Sequence, residues 1–253
     1  MEVIQIPVLN DNYVYLIHDP VSEETAVVDP ALAAPVLETA DKRGWRITHI
    51  LNTHHHYDHV DGNLEIKQKT GATIYGAAHD AARIPGIDVY VSEGDVVSIG
   101  QNQATVIKVT GHTTGHIAYH FADQNALFCG DTLFALGCGR LFEGTPQEMW
   151  ESLSKIKALP KETKIYCAHE YTLANLEFAL SIDPKNPDLQ LRGEQIRKLR
   201  DQNKPTIPSL LGDELSTNPF LRGDDMALAA SLGMEGQSAD RVFAEIRARK
   251  DNF

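Results

Sequence analysis

The chain has 253 residues, 42% of them hydrophobic, and 23 Lys and Arg against 35 Asp and Glu give a formal net charge of -12. That length fills a whole core, in one large domain or in a domain with a smaller lobe, and the acidic balance repels phosphate backbones and anionic lipid, which excludes nucleic acid and membrane as general partners. No apolar stretch approaches the ~20 residues that cross a bilayer, and Met1 to Pro7 lacks the basic segment and apolar run of a leader, so a cytoplasmic protein is expected.

The first two-thirds alternate strands and helices. Val3 to Val8 and Tyr13 to Ile17 have the branched and aromatic character of strands, separated by the turn-forming Asn10-Asp11-Asn12. A short strand follows at Ala26 to Pro30, then a helix over Pro35 to Lys42 that Gly44 stops, and a strand at Ile47 to Leu51. Gly62 to Lys69 reads as a helix closed by Gly71, and Thr73 to Tyr75 as a strand. Short strands continue at Asp88 to Tyr90, Asp95 to Ile99, Ala104 to Val109, Ile117 to Phe121 and Ala126 to Cys129. Thr145-Pro146-Gln147-Glu148 has a capping residue, a proline at the first helical position and a glutamate to close a capping box, so a helix is predicted to about Leu159. Lys164 to Cys167 is the last convincing strand. After His169 the period becomes helical: Thr172 to Ile182, Pro187 to Gln202, a weaker Asp225 to Leu232, and Ser238 to Lys250 with Ser238 as cap. A boundary near residue 170 is therefore expected, giving residues 1-169 as a strand-rich body and 170-253 as a helical lobe.

Cys129, Cys138 and Cys167 form no CxxC pair and are read as reduced packing residues. Thr53-His54-His55-His56-Tyr57-Asp58-His59 is different, because it offers four metal-ligating groups in six residues. His54 and His56 face one way from an extended segment, and a turn beyond them redirects Asp58 and His59 to a second ion. Three later residues each follow a predicted strand: His112 in Thr110 to His116, Asp131 after Cys129-Gly130, and His169 after Cys167-Ala168. Strand ends are where a sheet gathers distant side chains into one site. The assignment that follows gives His54, His56 and His112 to one metal, Asp58, His59 and His169 to the other, and Asp131 as the bridge. His55 and His116 are read as supporting or packing residues, and His18, His49, His79 and His120 as ordinary ones.

THHHYDH at 53 to 59, TGHTTGH at 110 to 116, CGDTLF at 129 to 134 and CAHEYT at 167 to 172 resemble the metallo-β-lactamase superfamily. Within it, CGRLFEGT at 138 to 145 and NPFLR at 218 to 222 resemble the hydroxyacylglutathione hydrolases, also called glyoxalase II, over nearly the whole chain. The resemblance implies an α/β fold, the αββα sandwich, with a smaller all-helical C-terminal domain that binds glutathione. It implies hydrolysis of the thioester S-D-lactoylglutathione to D-lactate and glutathione, the second step of methylglyoxal detoxification, and two divalent ions, usually zinc. Iron and manganese suit the same donors. The family's ligand positions fall on the seven residues already assigned, and its glutathione contacts on Arg140, Tyr171, Arg247 and Lys250. Phe142 stands where some members have a tyrosine, so that hydroxyl contact does not carry over.

Arg247 and Lys250 are three apart on one helix face, so they serve one ligand or end as solvated charges. Chemically, two divalent ions held there would supply hydroxide near neutral pH for attack on a thioester carbonyl, with a thiolate as the leaving group. Asp58 would orient that nucleophile, and no Ser or Cys nucleophile is required. A monomer acting on a small-molecule thioester is expected. Rival readings are a lactonase or β-lactamase, a redox diiron protein, an RNA-processing enzyme, a one-iron persulfide oxidiser, and a structural metal module. The second set of ligands and the basic C-terminal helix favour the thioesterase.

Overall fold

The structure is a computed structural model describing residues 1–253. Its chain divides into two compact units, Met1–Lys108 with Thr114–Gly130, and Val109–Thr113 with Asp131–Phe253.

The first unit is built on two sheets. One runs β1 (Glu2–Val8), β2 (Asn12–His18), β3 (Glu24–Val28), then α1 (Ala33–Arg43), β4 (Arg46–Leu51), α2 (Tyr57–Val60), α3 (Asn63–Thr70), β5 (Thr73–Ala77) and β6 (Val89–Val91). These six strands lie in chain order, antiparallel through β3 and parallel from β3 to β6. The switch follows from the connections, since a short turn suffices for antiparallel neighbours and parallel ones need a crossover, here α1, then α3, then the segment 78–88. The other sheet carries β7 (Val96–Ile99), β8 (Asn102–Lys108), β9 (Ile117–Phe121) and β10 (Ala126–Gly130) as successive antiparallel neighbours.

Every residue of β2 is buried, because one of its faces meets helices and the other meets the second sheet. On the helical side Val36 and Ala40 of α1 and Ile66 of α3 pack with Leu16, Val27, Ile50 and Ile74. On the other side Tyr15 meets Phe128 edge-on at 5.5 Å, and the buried Tyr119 hydroxyl donates to the Asn52 carbonyl at 3.1 Å. α1 ends on Gly44 at φ +69°, the left-handed conformation that glycine adopts without strain.

The second unit holds β11 (Leu133–Phe134), β12 (Gly137–Cys138), α4 (Pro146–Lys157), β13 (Lys164–Cys167), α5 (Thr172–Ile182), α6 (Pro187–Asp201), β14 (Ser209–Leu210), α7 (Leu211–Thr217), α8 (Met226–Ser231) and α9 (Ala239–Asp251). The capping box at Thr145 is present: Glu148 N donates to the Thr145 hydroxyl at 3.2 Å and Thr145 N to the Glu148 carboxylate at 2.7 Å. Ser238 occupies the N-cap of α9 with no side-chain capping bond. The β11–β12 hairpin, β14, α2 and α7 are absent from the sequence-based expectation. They run two to seven residues, too short for a period to register, and the fully buried Glu214 ties α7 down through Arg192, a contact across 22 residues. All three cysteines are buried and free. No helix is long and apolar enough to cross a membrane.

Candidate functional site

In the first unit the ligand run leaves β4 in extended form, with His56 at φ -60° and ψ 145°, and then turns into α2. The extended part brings Nε2 of His54 to 3.0 Å from Nδ1 of His56. Two imidazole nitrogens at 2.0–2.1 Å from one ion stand about 3.3 Å apart in a tetrahedron, so this pair has the spacing of ligands to a shared cation. The helical turn sets Asp58 and His59 side by side, with His59 Nε2 and Asp58 Oδ2 3.6 Å apart.

Asp58 and His59 are held from behind. Asn12 Nδ2 donates to Asp58 Oδ2 at 3.0 Å, and His59 Nδ1 donates to Asp29 Oδ2 at 3.1 Å. An imidazole that gives its Nδ1 proton to a carboxylate presents Nε2 as the basic nitrogen. Asp29 also accepts from the Thr53 backbone N at 2.7 Å and the Thr53 hydroxyl at 2.6 Å. Its donor atoms lie within 4.8 Å of those of His54 and His59. Asp29 does not appear among the sequence-predicted site residues. It lies just past β3, at φ +49°, so the strand-end placement that marked the other ligands also marks it.

His55 points away from its neighbours, as alternation demands, and bonds Asp80 at 3.1 Å. His116 stacks on His54 at 4.5 Å and 18°, with its Nδ1 on the Ile117 carbonyl. Both are supporting residues in this geometry.

In the second unit Asp131 directs one oxygen to each of two histidines: Oδ2 is 3.5 Å from His112 Nε2 and Oδ1 is 3.4 Å from His169 Nε2. His112 donates from Nδ1 to the Arg140 carbonyl at 2.8 Å. The His169 ring is sandwiched in aromatics, parallel to Tyr171 at 4.7 Å and 3°, with Phe134 edge-on at 5.9 Å. Three sets of metal-ligating side chains each have their donor atoms within 4.8 Å of one another, a composition consistent with a binuclear centre.

The second unit also encloses a cavity of about 490 Å³. His112 and Asp131 lie on its wall together with Arg140, Tyr171, Arg247 and Lys250. Phe134, Cys138, Phe142 and Asn175 add to its apolar and polar lining. Arg140 is exposed, whereas Arg247 is 5% exposed and its guanidinium donates to the Cys138 carbonyl at 3.0 Å and to Asp251 at 2.8 Å. Lys250 Nζ donates to the Ala174 carbonyl at 3.2 Å. Burial, then the charges of Arg247 and Arg140, hold the Lys250 ammonium below the usual lysine range against the opposing pull of Asp251. Phe142 is 63% exposed, its ring 5.1 Å from that of His112. Burial pushes the Cys138 thiol up to about 11, so it stays protonated and is no nucleophile.

Residues 9–169 match the family model of the metallo-beta-lactamase superfamily, and residues 170–253 match that of the hydroxyacylglutathione hydrolase C-terminus. A hydroxyacylglutathione hydrolase of Methylococcus capsulatus is 57% identical over 253 residues, covering 100% of this chain and 99% of that one. Another, of Rhodospirillum rubrum, is 54% identical with the same coverage. Among solved structures, that of ETHE1 from Myxococcus xanthus superposes with a TM-score of 0.72 at 24% identity, over 98% of this chain and 90% of that one, a likeness of fold.

Proposed function

The chain belongs to the hydroxyacylglutathione hydrolases of the metallo-β-lactamase superfamily, and from that premise we infer that it hydrolyses S-D-lactoylglutathione and related 2-hydroxyacyl thioesters to the 2-hydroxy acid and glutathione. It is a metal-dependent hydrolase with the αββα sandwich and a smaller helical C-terminal domain. The observation that carries the substrate reading is the cavity of the second unit, where Arg140, Tyr171, Arg247 and Lys250 share one wall system with His112 and Asp131.

Glutathione brings two carboxylates and one ammonium to a protein of net charge -12. Cations gathered in one pocket reverse that field locally and form charge-assisted hydrogen bonds with the carboxylates. We assign Arg140 and Lys250 to direct capture of the tripeptide. The buried Arg247 adds positive potential and holds the Cys138 end of the wall. Tyr171 offers its ring face and hydroxyl beside His169.

The seven ligand residues are allotted as His54, His56 and His112 to one ion, Asp58, His59 and His169 to the other, and Asp131 between them. Supporting this are the 3.0 Å approach of His54 to His56 and the Asp131 carboxylate facing His112 with one oxygen and His169 with the other. Divalent ions bound there supply Lewis acidity and water acidified to near-neutral pKa. Zinc fits the nitrogen and oxygen donors, as do iron and manganese. Asp29, Asn12 and the Arg140 carbonyl fix ligand tautomers and angles. The thiol product has an ordinary pKa of about 8.5, so it departs as thiolate without an acid from the protein.

Residues 1-169 would supply the chemistry and 170-253 most of the glutathione contacts, in a cytoplasmic monomer. The test compares lactoylglutathione with the same acyl group on a thiol lacking carboxylates, in the wild type and in an Arg247→Ala, Lys250→Ala double variant. A variant that keeps the full preference for the glutathione ester overturns the recognition scheme. Turnover that survives complete chelation overturns the metal scheme.

A further inference from the structure

The β11–β12 hairpin is two residues per strand, with Leu133 opposite Cys138 and Phe134 opposite Gly137. Asp131 precedes it and Arg140 follows it, and Phe134, Cys138 and Gly139 line the cavity. Its turn is awkward: Leu136 has φ +58°, a left-handed conformation costly for a residue with a side chain, and it is completely buried. So small a hairpin cannot hold such a turn by itself.

Three buried polar side chains from the helices hold it instead. Leu136 N donates to Glu214 Oε2 at 2.9 Å across 78 residues. Asn218 Nδ2 donates to the Phe134 carbonyl, to the Gly137 carbonyl and to Glu214 Oε2, each at 3.1 Å. Asn175 Nδ2 donates to the Ala135 carbonyl at 3.1 Å. Glu214 and Asn218 are fully buried, and Arg192 neutralises the Glu214 charge. Meanwhile Leu136 packs with Leu176, Ala179, Leu189 and Ile196, so the turn is fixed by polar and apolar contacts at once.

We propose that Glu214 and Asn218 are positioning residues for the glutathione thioester, holding the hairpin so that Phe134 and the Cys138 carbonyl set the places of Tyr171 and Arg247. The proposal rests on the substrate reading above. Its lever is visible in two contacts, Phe134 edge-on to Tyr171 at 5.3 Å and Arg247 on the Cys138 carbonyl at 3.0 Å. The root of the hairpin has anchors of its own, Thr132 on the Val109 carbonyl at 3.1 Å and Gly139 N on the Thr132 carbonyl at 3.2 Å. Loosening the tip therefore moves the substrate wall and spares Asp131 and His112, while His169, which Phe134 and Tyr171 flank, keeps its own place just past the end of β13.

The test uses full-length, metal-loaded protein carrying Glu214→Ala, Glu214→Gln or Asn218→Ser. The serine keeps a capping oxygen for the next turn while losing the amide donor. For Glu214→Ala and Asn218→Ser, KM for S-D-lactoylglutathione rises about tenfold with kcat held within about twofold, equivalent to losing about 1.4 kcal/mol of binding. Glu214→Gln falls between these and the wild type. Bound metal, and kcat/KM for the D-lactoyl thioester of N-acetylcysteamine, stay unchanged. Equal losses on both thioesters, loss of metal, or an unchanged KM in a folded variant overturns the proposal, and Asn218→Ser decides it should Glu214→Ala not fold. Wild-type protein that turns over neither thioester defeats the functional reading itself, an outcome distinct from wild-type activity with indifferent variants.

Discussion

Nδ1 of His112 donates to the carbonyl oxygen of Arg140 at 2.8 Å. One hydrogen bond thus joins a proposed metal ligand to a proposed substrate contact, and the tautomer it selects presents Nε2 toward Asp131. Asp131 is the common neighbour of His112 and His169, so it is the residue whose loss reaches furthest. Replacing Asp131 by Ala lowers the bound metal and removes most turnover. Metal analysis of the purified protein beside a thioesterase assay checks this, and an unaltered metal content with an unaltered rate excludes the bridging role.

The same corner has no room for a side chain at Gly139. A Cβ there would lie 2.0 Å from the Asp131 carbonyl oxygen and 3.1 Å from His112 Nδ1. Backbone must shift to admit it, at a cost of about 1–3 kcal/mol for overpacking. Gly139→Ala is expected to lower the denaturation midpoint and the metal content together. A stable variant with full metal occupancy would show the corner to be more compliant than its contacts imply.

Asp29 is the carboxylate behind the ligand loop, bonded to Thr53 N, Thr53 Oγ1 and His59 Nδ1. Asp29→Asn keeps the shape, removes the charge, and replaces one acceptor oxygen by an NH2 donor that faces other donors, so the partners are satisfied only in part. Loss of such an outer partner costs about 10- to 100-fold in metal affinity. Competition with a chromogenic chelator measures it; affinity equal to the wild type would make Asp29 a packing residue only.

What could be read ahead of the structure was local. The capping box at Thr145 needs four consecutive residues and was legible from them, and the ligand run lies within seven. Asp29 shares the strand-end placement of the proposed ligands, but its partners are 24 and 30 residues away, and no short pattern names them. The Glu214 clamp reaches across 78 residues to a two-residue strand pair, where neither periodicity nor propensity leaves a trace. For Arg247, sequence gave position on a helix face but not burial, and burial is what ties its guanidinium to Cys138 and Asp251.

The capping box gives a test of stability at the start of α4, where Gly144 N also donates to the Gly111 carbonyl at 3.1 Å. Thr145→Ala deletes the acceptor for Glu148 N and is expected to cost about 1 kcal/mol of stability. Urea titration with an unchanged slope gives the value, and metal content and KM stay at wild-type levels. A changed KM would mean that α4 reaches the substrate site.

Lys250 supplies a pH signature. Burial first, and then the nearby charges of Arg247 and Arg140, hold its pKa below the ordinary lysine range, so its cation disappears at a lower pH than an exposed lysine's would. For binding, the charge proposed to face the glutathione carboxylates is present below that lowered pKa and is lost as pH rises through it. KM for the glutathione ester is therefore expected to climb on the alkaline side before an ordinary lysine would titrate. For stability the sign is the opposite. Between the lowered pKa and the unfolded value, the unfolded chain binds more protons, so this group's contribution rises with pH through that window and is lost as pH falls through the folded pKa. Lys250→Arg keeps the cation over the whole range, and its KM is expected to stay flat where that of the wild type climbs. The carboxylate-free thioester separates this effect from ionisation at the metals, since its KM has no reason to follow Lys250. An alkaline climb that persists in the arginine variant, or that appears equally with both thioesters, assigns the titration to another group.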